Sequence, residues 1–293
     1  MKEATRGAVC PVCRSALEFG PDAVSCTGCG ASYRLVDGKP ALLKDGNLVV
    51  QEPSLQKSSR LRRIAMRVLR WVPRVKLSTA TRPNMVRLRR MLDDDALVLF
   101  VGGGVGSLGN GVHLLGKRLL DGSVNLEVWP GPVVDLIADA HDVPFPDEYF
   151  DCVILQAVLE HTRDSNRVAH EVQRVLKAGG IIYVEVPFLQ PVHMKSDFRR
   201  YTVMGLEELF AGLERVDSGV NGGAASTFAI ATASFVGTLL SFGKKPVYEL
   251  VRSAASVVLW PIKYIDHFLV RLPVAYIAAA GVYLIARKSS RAE

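Results

Sequence analysis

Residues 98–180 constrain the fold more tightly than any other stretch of the chain. Val98 to Val101 is a short apolar, β-branched-rich run of the kind that is buried on both faces of a parallel sheet. Gly102, Gly103, Gly104 and Gly106 follow at once, where the lack of a side chain lets backbone approach a bound ligand closely. Farther on, 138–151 reads as a second ligand loop running into another strand, and 171–180 as a helix turning into a third. Strands alternating with helices and glycine loops predict a doubly wound α/β sheet. Gly104, Gly106 and Gly109 also fit a GxGxxG spacing, and Glu127 lies about twenty residues on, where a ribose-binding acid belongs. That spacing alone leaves a nicotinamide site and other nucleotide-like cofactors open.

The N-terminus carries the second strong pattern. Cys10 and Cys13 form one CxxC knuckle, and Cys26 and Cys29 form another after twelve intervening residues. Four thiolates so spaced can close a tetrahedral structural zinc site with no open position. Paired knuckles make a poor disulfide frame, and no secretory leader is expected. A ribbon of this length is too small to build its own core, so metal is expected to supply its folding energy. Cys152, within an apolar strand, reads as an inert core thiol.

A chain of 293 residues, 49% of them hydrophobic, holds one good-sized core and an appendage. The net charge of +7 is unevenly placed: residues 53–92 hold twelve Lys or Arg and no Asp or Glu, so the remainder is net negative. Leu61, Ile64, Ala65, Val68, Leu69 and Val72 fall at helical spacing there, with arginines on the other faces. Such a basic helix suits a solvated linker, an anionic membrane surface or, less well, a nucleic acid. Val220 to Gly243 is uncharged over 24 residues, but Ser, Thr and Gly dilute it, and Pro261 and Pro273 interrupt the apolar runs beyond it. We expect an apolar insertion at about 222–273, ahead of a final strand at 281–288. The expected division is a ribbon at 1–43, a basic helical connector at 44–92 and the main domain at 93–293. Together the basic helix and the insertion point to a cytoplasmic protein held peripherally at the inner face of the membrane.

The loop at 186–202 should cover a substrate, because polar loop residues beside a cofactor pocket are favoured places for function. Here His193 is a candidate base and Arg200 a candidate anchor for an anionic acceptor, although an internal Asp197–Arg pair would explain the same residues.

The glycine cluster, the Asp139–Phe145 loop and the Leu176–Gly180 turn together resemble class I S-adenosylmethionine (SAM) dependent methyltransferases, in the methyltransferase type 11 group. Residues 33–43, after the cysteine knuckles, resemble the Trm112-like zinc ribbon found beside or fused to such enzymes. The resemblance implies a seven-stranded Rossmann-like sheet. It implies that Gly102, Gly104 and Gly106 lie under the methionine part of SAM and that Glu127 accepts from both ribose hydroxyls. Asp139 and Ala140 would flank the adenine, and Gln156 would line the pocket near the methyl group. His161 would line the pocket or cap a helix, with a weaker claim to moving a proton. One position departs from the pattern: where the family usually has an acid two residues before the first glycine, this chain has Phe100.

The resemblance of the 186–202 loop and the tail is to bacterial enzymes of cell-surface glycan or lipid-linked saccharide pathways. It implies O-methylation of a sugar or lipid-linked acceptor. The alternatives are a ribosomal or transfer RNA base methyltransferase, and a non-catalytic SAM-fold scaffold that uses the ribbon as a partner surface.

Overall fold

The computed structural model describes residues 2–44, 76–104 and 110–290. The basic helix expected around 61–72 lies outside the described residues, as do Gly106 and Gly109.

Four short antiparallel strands come first: β1 (Leu17–Phe19), β2 (Ala23–Cys26), β3 (Ser32–Val36) and β4 (Lys39–Leu42). The main domain follows as α1 (Thr81–Met91), β5 (Val98–Val101), α2 (Lys117–Gly122), β6 (Val124–Glu127), β7 (Leu136–Ala138), β8 (Phe150–Gln156), α3 (Ser165–Val175), β9 (Leu176–Pro187), α4 (Val203–Leu209) and β10 (Glu214–Val220). Then come α5 (Ala224–Leu240), α6 (Lys245–Leu259), α7 (Asp266–Leu269) and β11 (Gly281–Arg287). The strands from β7 through β6, β5 and β8 to β9 run parallel, and β11 enters antiparallel between β9 and β10. This is the expected seven-stranded α/β sheet.

The sheet has one addition. Strand β4 of the ribbon pairs in parallel with β7, Ala41 opposite Ile137 and Leu42 opposite Ala138, so the ribbon extends the sheet at its edge. The union is anchored by side chains as well. Arg14 donates to the Val143 carbonyl at 2.8 Å and to Glu171 at 3.1 Å, and the Val9 amide donates to the Pro144 carbonyl at 2.9 Å. Cys10, Val24, Tyr33 and Leu42 share one apolar cluster with Leu126, Phe145 and Phe150 of the main domain.

Period-two alternation sorts the central strand between two cores. Leu99 and Val101 face the cluster covered by α3, which buries Val168, Val172 and Val175. Val98 and Phe100 face the other, where Met85 and Leu88 of α1 are fully buried. Helix α1, within the stretch expected as a connector, is therefore a covering layer of the sheet. The basic run obscured this, because Arg82, Arg87, Arg89 and Arg90 occupy the rest of the helix.

The apolar insertion lies between β10 and β11. Ala225, Ala229, Ala233 and Gly237 of α5 are buried at every fourth position, and Gly237 lets Tyr248 of α6 pack against the helix. The N-cap of α5 is Gly223, which has no side chain, and Asp266 of α7 supplies the cap instead. Its two oxygens accept from the Ala225 and Ser226 amides at 2.9 Å each. The outer faces carry exposed Phe228, Phe235, Leu239, Leu250, Val258 and Phe268. No helix among the described residues is long and apolar enough to cross a membrane.

Candidate active site

A cavity of about 310 Å³ opens at the C-terminal ends of β5, β6, β7 and β8. The chain runs outward from β5 to β6 and β7 and then crosses back to β8 on the other side of β5, so the strand order reverses here, which is where open α/β sheets bind ligands. Gly102, Glu127, Asp139, Ala140 and His161 all line it, so the structure gathers these five sequence candidates around one space.

Gly102 turns the chain out of β5 with φ +63°, and a Cβ on it would fall 2.5 Å from the Val158 side chain. Glu127, the last residue of β6, accepts from the Gly104 amide and the Val128 amide, each at 3.1 Å. Gly104 therefore holds the carboxylate in place without itself lining the cavity. Burial raises the pKa of Glu127, against the lowering effect of these two amides. Each oxygen keeps lone pairs for a further donor, as a ribose diol would require.

Asp139 is buried, and its Oδ1 lies 2.6 Å from His141 Nδ1 and 2.9 Å from the His141 amide. His141 Nε2 accepts from the Asp164 amide at 3.2 Å, so the imidazole carries its proton on Nδ1 and gives it to Asp139. Reading the sequence missed His141, two residues from its partner, and Trp129, which lines the cavity just after Glu127.

At Phe100 the fully buried ring belongs to the core beneath the sheet. The glycine loop is held from β6 instead. Asn125 donates to the Gly104 carbonyl at 3.1 Å and to the Val133 carbonyl at 2.9 Å, and a Cβ on Gly103 would lie 2.4 Å from its Oδ1.

Two candidates stand elsewhere. Gln156 ends β8 but does not line the cavity: its amide donates to Asn110 O at 3.2 Å and to Glu185 Oε2 at 2.9 Å. Glu185 also accepts from Thr81 at 2.6 Å and from Tyr183, so Gln156 belongs to a buried polar cluster under α1. Arg200 is not free to anchor an acceptor. Its guanidinium grips Asp197 through both terminal nitrogens, with further bonds to the Gln190 and Pro191 carbonyls at 3.2 and 3.1 Å. The Arg200 bonds in turn hold the Asp197 carboxyl down, to a pKa of about 2. Arg200 is the internal clamp of the loop.

That clamp places His193 against His161, ring centroids 5.0 Å apart and nearly perpendicular. His161 faces the first cavity. His193 lines a second, of about 500 Å³, between this loop and the insertion, with Lys245, Tyr248, Glu249 and Arg252 on the far wall. Met194 lines both cavities, so the imidazole pair stands at their junction. Burial lowers the pKa of His193, although Asp197 works in the opposite sense.

In the ribbon the four thiols converge. Cys10 and Cys29 sulfurs lie 3.7 Å apart and Cys13 and Cys26 sulfurs 3.3 Å apart. A zinc ion with bonds of about 2.3 Å sets tetrahedral sulfurs about 3.8 Å apart, so this donor set fits it. The Tyr33 hydroxyl lies 3.1 Å from Cys10 Sγ. The group can hold a structural zinc.

Residues 122–184 match the methyltransferase domain family model, Methyltransf_11. Among curated proteins, the chain is 33% identical over 70 residues to a ubiquinone/menaquinone biosynthesis C-methyltransferase, UbiE, of Vibrio cholerae, covering 23% of this chain and 27% of that protein. It is 40% identical over 55 residues to the protein of that name from Pectobacterium atrosepticum, covering 19% and 22%. The match thus spans about a quarter of the length of these relatives. Similar solved structures include Haemonchus contortus phosphoethanolamine N-methyltransferase 2 with S-adenosylhomocysteine, at 16% identity and TM-score 0.46, covering 73% of this chain and 54% of that one. Another is the complex of the Haloferax volcanii Trm112 methyltransferase activator with a methyltransferase, at 16% identity and TM-score 0.43, covering 79% and 96%. With the family match lying across β6 to β9, this chain carries a methyltransferase domain of the class I, SAM-dependent kind.

Proposed function

We propose that the chain transfers a methyl group from SAM, bound in the first cavity, to an acceptor bound in the second. The observation that carries this reading is the junction: two cavities share Met194, and an imidazole pair stands between them. Glu127 would take the ribose hydroxyls, Asp139 and Ala140 the adenine side, and Gly102 with the adjoining glycines the methionine end. These residues fit the cofactor by donor chemistry, a buried carboxylate at a strand end facing a diol and bare backbone where a chain must approach closely. When bound, SAM supplies an activated methyl on sulfur, so the protein chiefly aligns the acceptor and excludes water.

The acceptor class we propose is a sugar or lipid-linked saccharide hydroxyl, O-methylated at a membrane surface. Lys245 on the far wall, beside the Glu249–Arg252 ion pair, suits a polyhydroxylated group. The exposed aromatic and aliphatic residues of the insertion form the kind of surface that seats on one leaflet. The family match ends at residue 184, before the loop and the insertion, so that match bears on the cofactor half alone. His193 or His161 would take on Nε2 the proton that the acceptor hydroxyl gives up as its oxygen bonds to the methyl carbon. The ribbon would be structural, with the chain's own sheet edge as its partner.

The test uses zinc-loaded full chain with isotope-labelled SAM and membrane lipid extracts. Label in a lipid-linked saccharide fraction, lost in the Glu127→Ala variant, is the expected result. Label that enters RNA only would replace this acceptor with the nucleic-acid alternative. SAM binding without transfer to any fraction would favour the scaffold reading.

A further inference from the structure

Glu160 stands beside the imidazole pair and has no role in the proposed methyl transfer. It is 1% exposed, and neither of its carboxylate oxygens has a hydrogen-bond partner in another residue. A buried carboxylate with no hydrogen bond from another residue is costly enough to need a reason.

The imidazoles supply one. His161 Nδ1 donates to the Ser196 carbonyl at 2.9 Å, which fixes the proton on Nδ1 and leaves Nε2 a bare lone pair. His193 Nδ1 lies 3.0 Å from the Asp197 carboxylate, which favours the proton there too. The two Nε2 atoms then face each other at 3.3 Å, lone pair toward lone pair, and Glu160 Oε1 lies 3.9 Å from His161 Nε2. All three donor atoms fall within 4.8 Å of one another. Lone pairs turned on one another repel unless something positive stands between them. Two nitrogens bound to one tetrahedral ion at about 2.0–2.1 Å would be about 3.3 Å apart, the separation found here.

We propose that Glu160, His161 and His193 form a second metal site, for a divalent transition ion, distinct from the cysteine site of the ribbon. Two imidazoles and one carboxylate on one side of an ion leave its other positions open. Ser196 and Asp197 orient the ligand rings, as carbonyls and carboxylates do around metal-bound histidines. The ion sits at the junction of the two cavities, where an acceptor oxygen can complete its sphere. Only that last role rests on the methyl-transfer reading. The same lone pairs can take up a proton or hold an ion, but not both. A proton would also set a positive charge 3.9 Å from Glu160. The site is assigned to the ion because an ion can bond both Nε2 atoms and a carboxylate oxygen at once.

The experiment is a Co²⁺ titration of zinc-loaded full chain. It follows ligand-field absorption, with the thiolate-to-cobalt charge-transfer band as a monitor of exchange in the ribbon. The expected result is one equivalent of Co²⁺ bound without that band. Affinity should fall on the order of tenfold or more in His193→Ala and in Glu160→Gln. His193 lies on an exposed loop outside the first cavity, so His193→Ala should keep its SAM affinity, which confirms the fold. No Co²⁺ bound beyond the thiolates, or equal binding by both variants, overturns the proposal. Loss of SAM binding by wild-type protein that still takes up Co²⁺ would instead overturn the methyl-transfer reading.

Discussion

The Glu127 carboxylate offers the sharpest test of the cofactor site, because its geometry is already set before a ligand arrives. The Gly104 and Val128 amides hold one oxygen each, so the remaining lone pairs are aimed without reorganisation. Two hydrogen bonds from ribose hydroxyls to a charged acceptor contribute about 1.5–3 kcal/mol each, or about 3–6 kcal/mol together. At about 1.4 kcal/mol per tenfold, that is about 10² to 10⁴ in Kd. Water entering the space left by Glu127→Ala would satisfy the two amides and recover part of this, so a loss of about 10² is expected. Glu127→Gln keeps the size and one acceptor oxygen and should fall between the variants. Calorimetric titration of zinc-loaded protein with SAM reads all three. Burial raises the Glu127 pKa, so affinity should also decline on acidification earlier than an ordinary glutamate would allow. A folded Glu127→Ala protein binding SAM within about threefold of wild type would refute the assignment of the carboxylate to the ribose.

The remaining predictions concern the frame around the site. Removing metal from the ribbon with a chelator, or Cys26→Ser, should lower the melting temperature by several degrees and open the first 44 residues to protease; thermal scans with and without zinc check this. Glu171 is buried, which alone would raise its pKa, but Arg174 and Arg14 outweigh burial and lower it. Its stabilisation is therefore complete above the ordinary glutamate range and lost as pH falls through its depressed pKa. Glu171→Gln should cost about 3–5 kcal/mol at neutral pH and flatten the acid limb of a stability profile from denaturant melts. Arg200→Ala should free the 190–197 loop and raise the acceptor KM while leaving SAM affinity within about twofold, read by parallel kinetics and calorimetry. Phe235→Asp with Leu239→Asp should abolish co-sedimentation with anionic liposomes; retained sedimentation would remove the insertion from the membrane reading.

What the sequence revealed and what it concealed divide along sequence separation. Val98 to Gly102 could be read as strand and ligand turn because the burial of a parallel strand and the bare turn after it are both local. The cysteine knuckles were legible for the same reason. Glu127 could be singled out as a candidate by its distance from the glycines, which a βαβ unit fixes. Arg200 misled because a loop arginine beside a pocket looks free until the loop folds and Asp197, three residues earlier, takes both its terminal nitrogens. Gln156 misled because the last side chain of a strand can turn either way, and here Glu185, 29 residues on, draws it into the polar cluster. Asn125 gave no signal at all: its work is to hold a glycine loop 21 residues earlier, which only the adjacency of β5 and β6 makes feasible.

The ribbon shows most clearly how one local pattern acquires meaning from a distant one. An exposed parallel edge at β7 would present unpaired backbone groups to any passing strand. Leu42 and Ala41 of β4 cover that edge, and the loop after β7 contains Asp139 and His141 of the cofactor cavity. Arg14, next to a metal-ligand cysteine, reaches Glu171 and the carbonyls of Val143 and Phe145 at the far end of the same loop. A zinc ion held by the four cysteines would therefore fix Arg14, which braces the adenine side of the proposed SAM site from outside, although no cysteine touches the cavity. If this is so, Arg14→Ala in zinc-loaded protein should weaken SAM binding about three- to tenfold through an exposed partial ion pair and two carbonyl bonds, at about 0.5–1.5 kcal/mol. The same substitution in chelated protein should change nothing further. An unaltered SAM affinity in the zinc-loaded variant would show that the ribbon stabilises the domain without shaping its site.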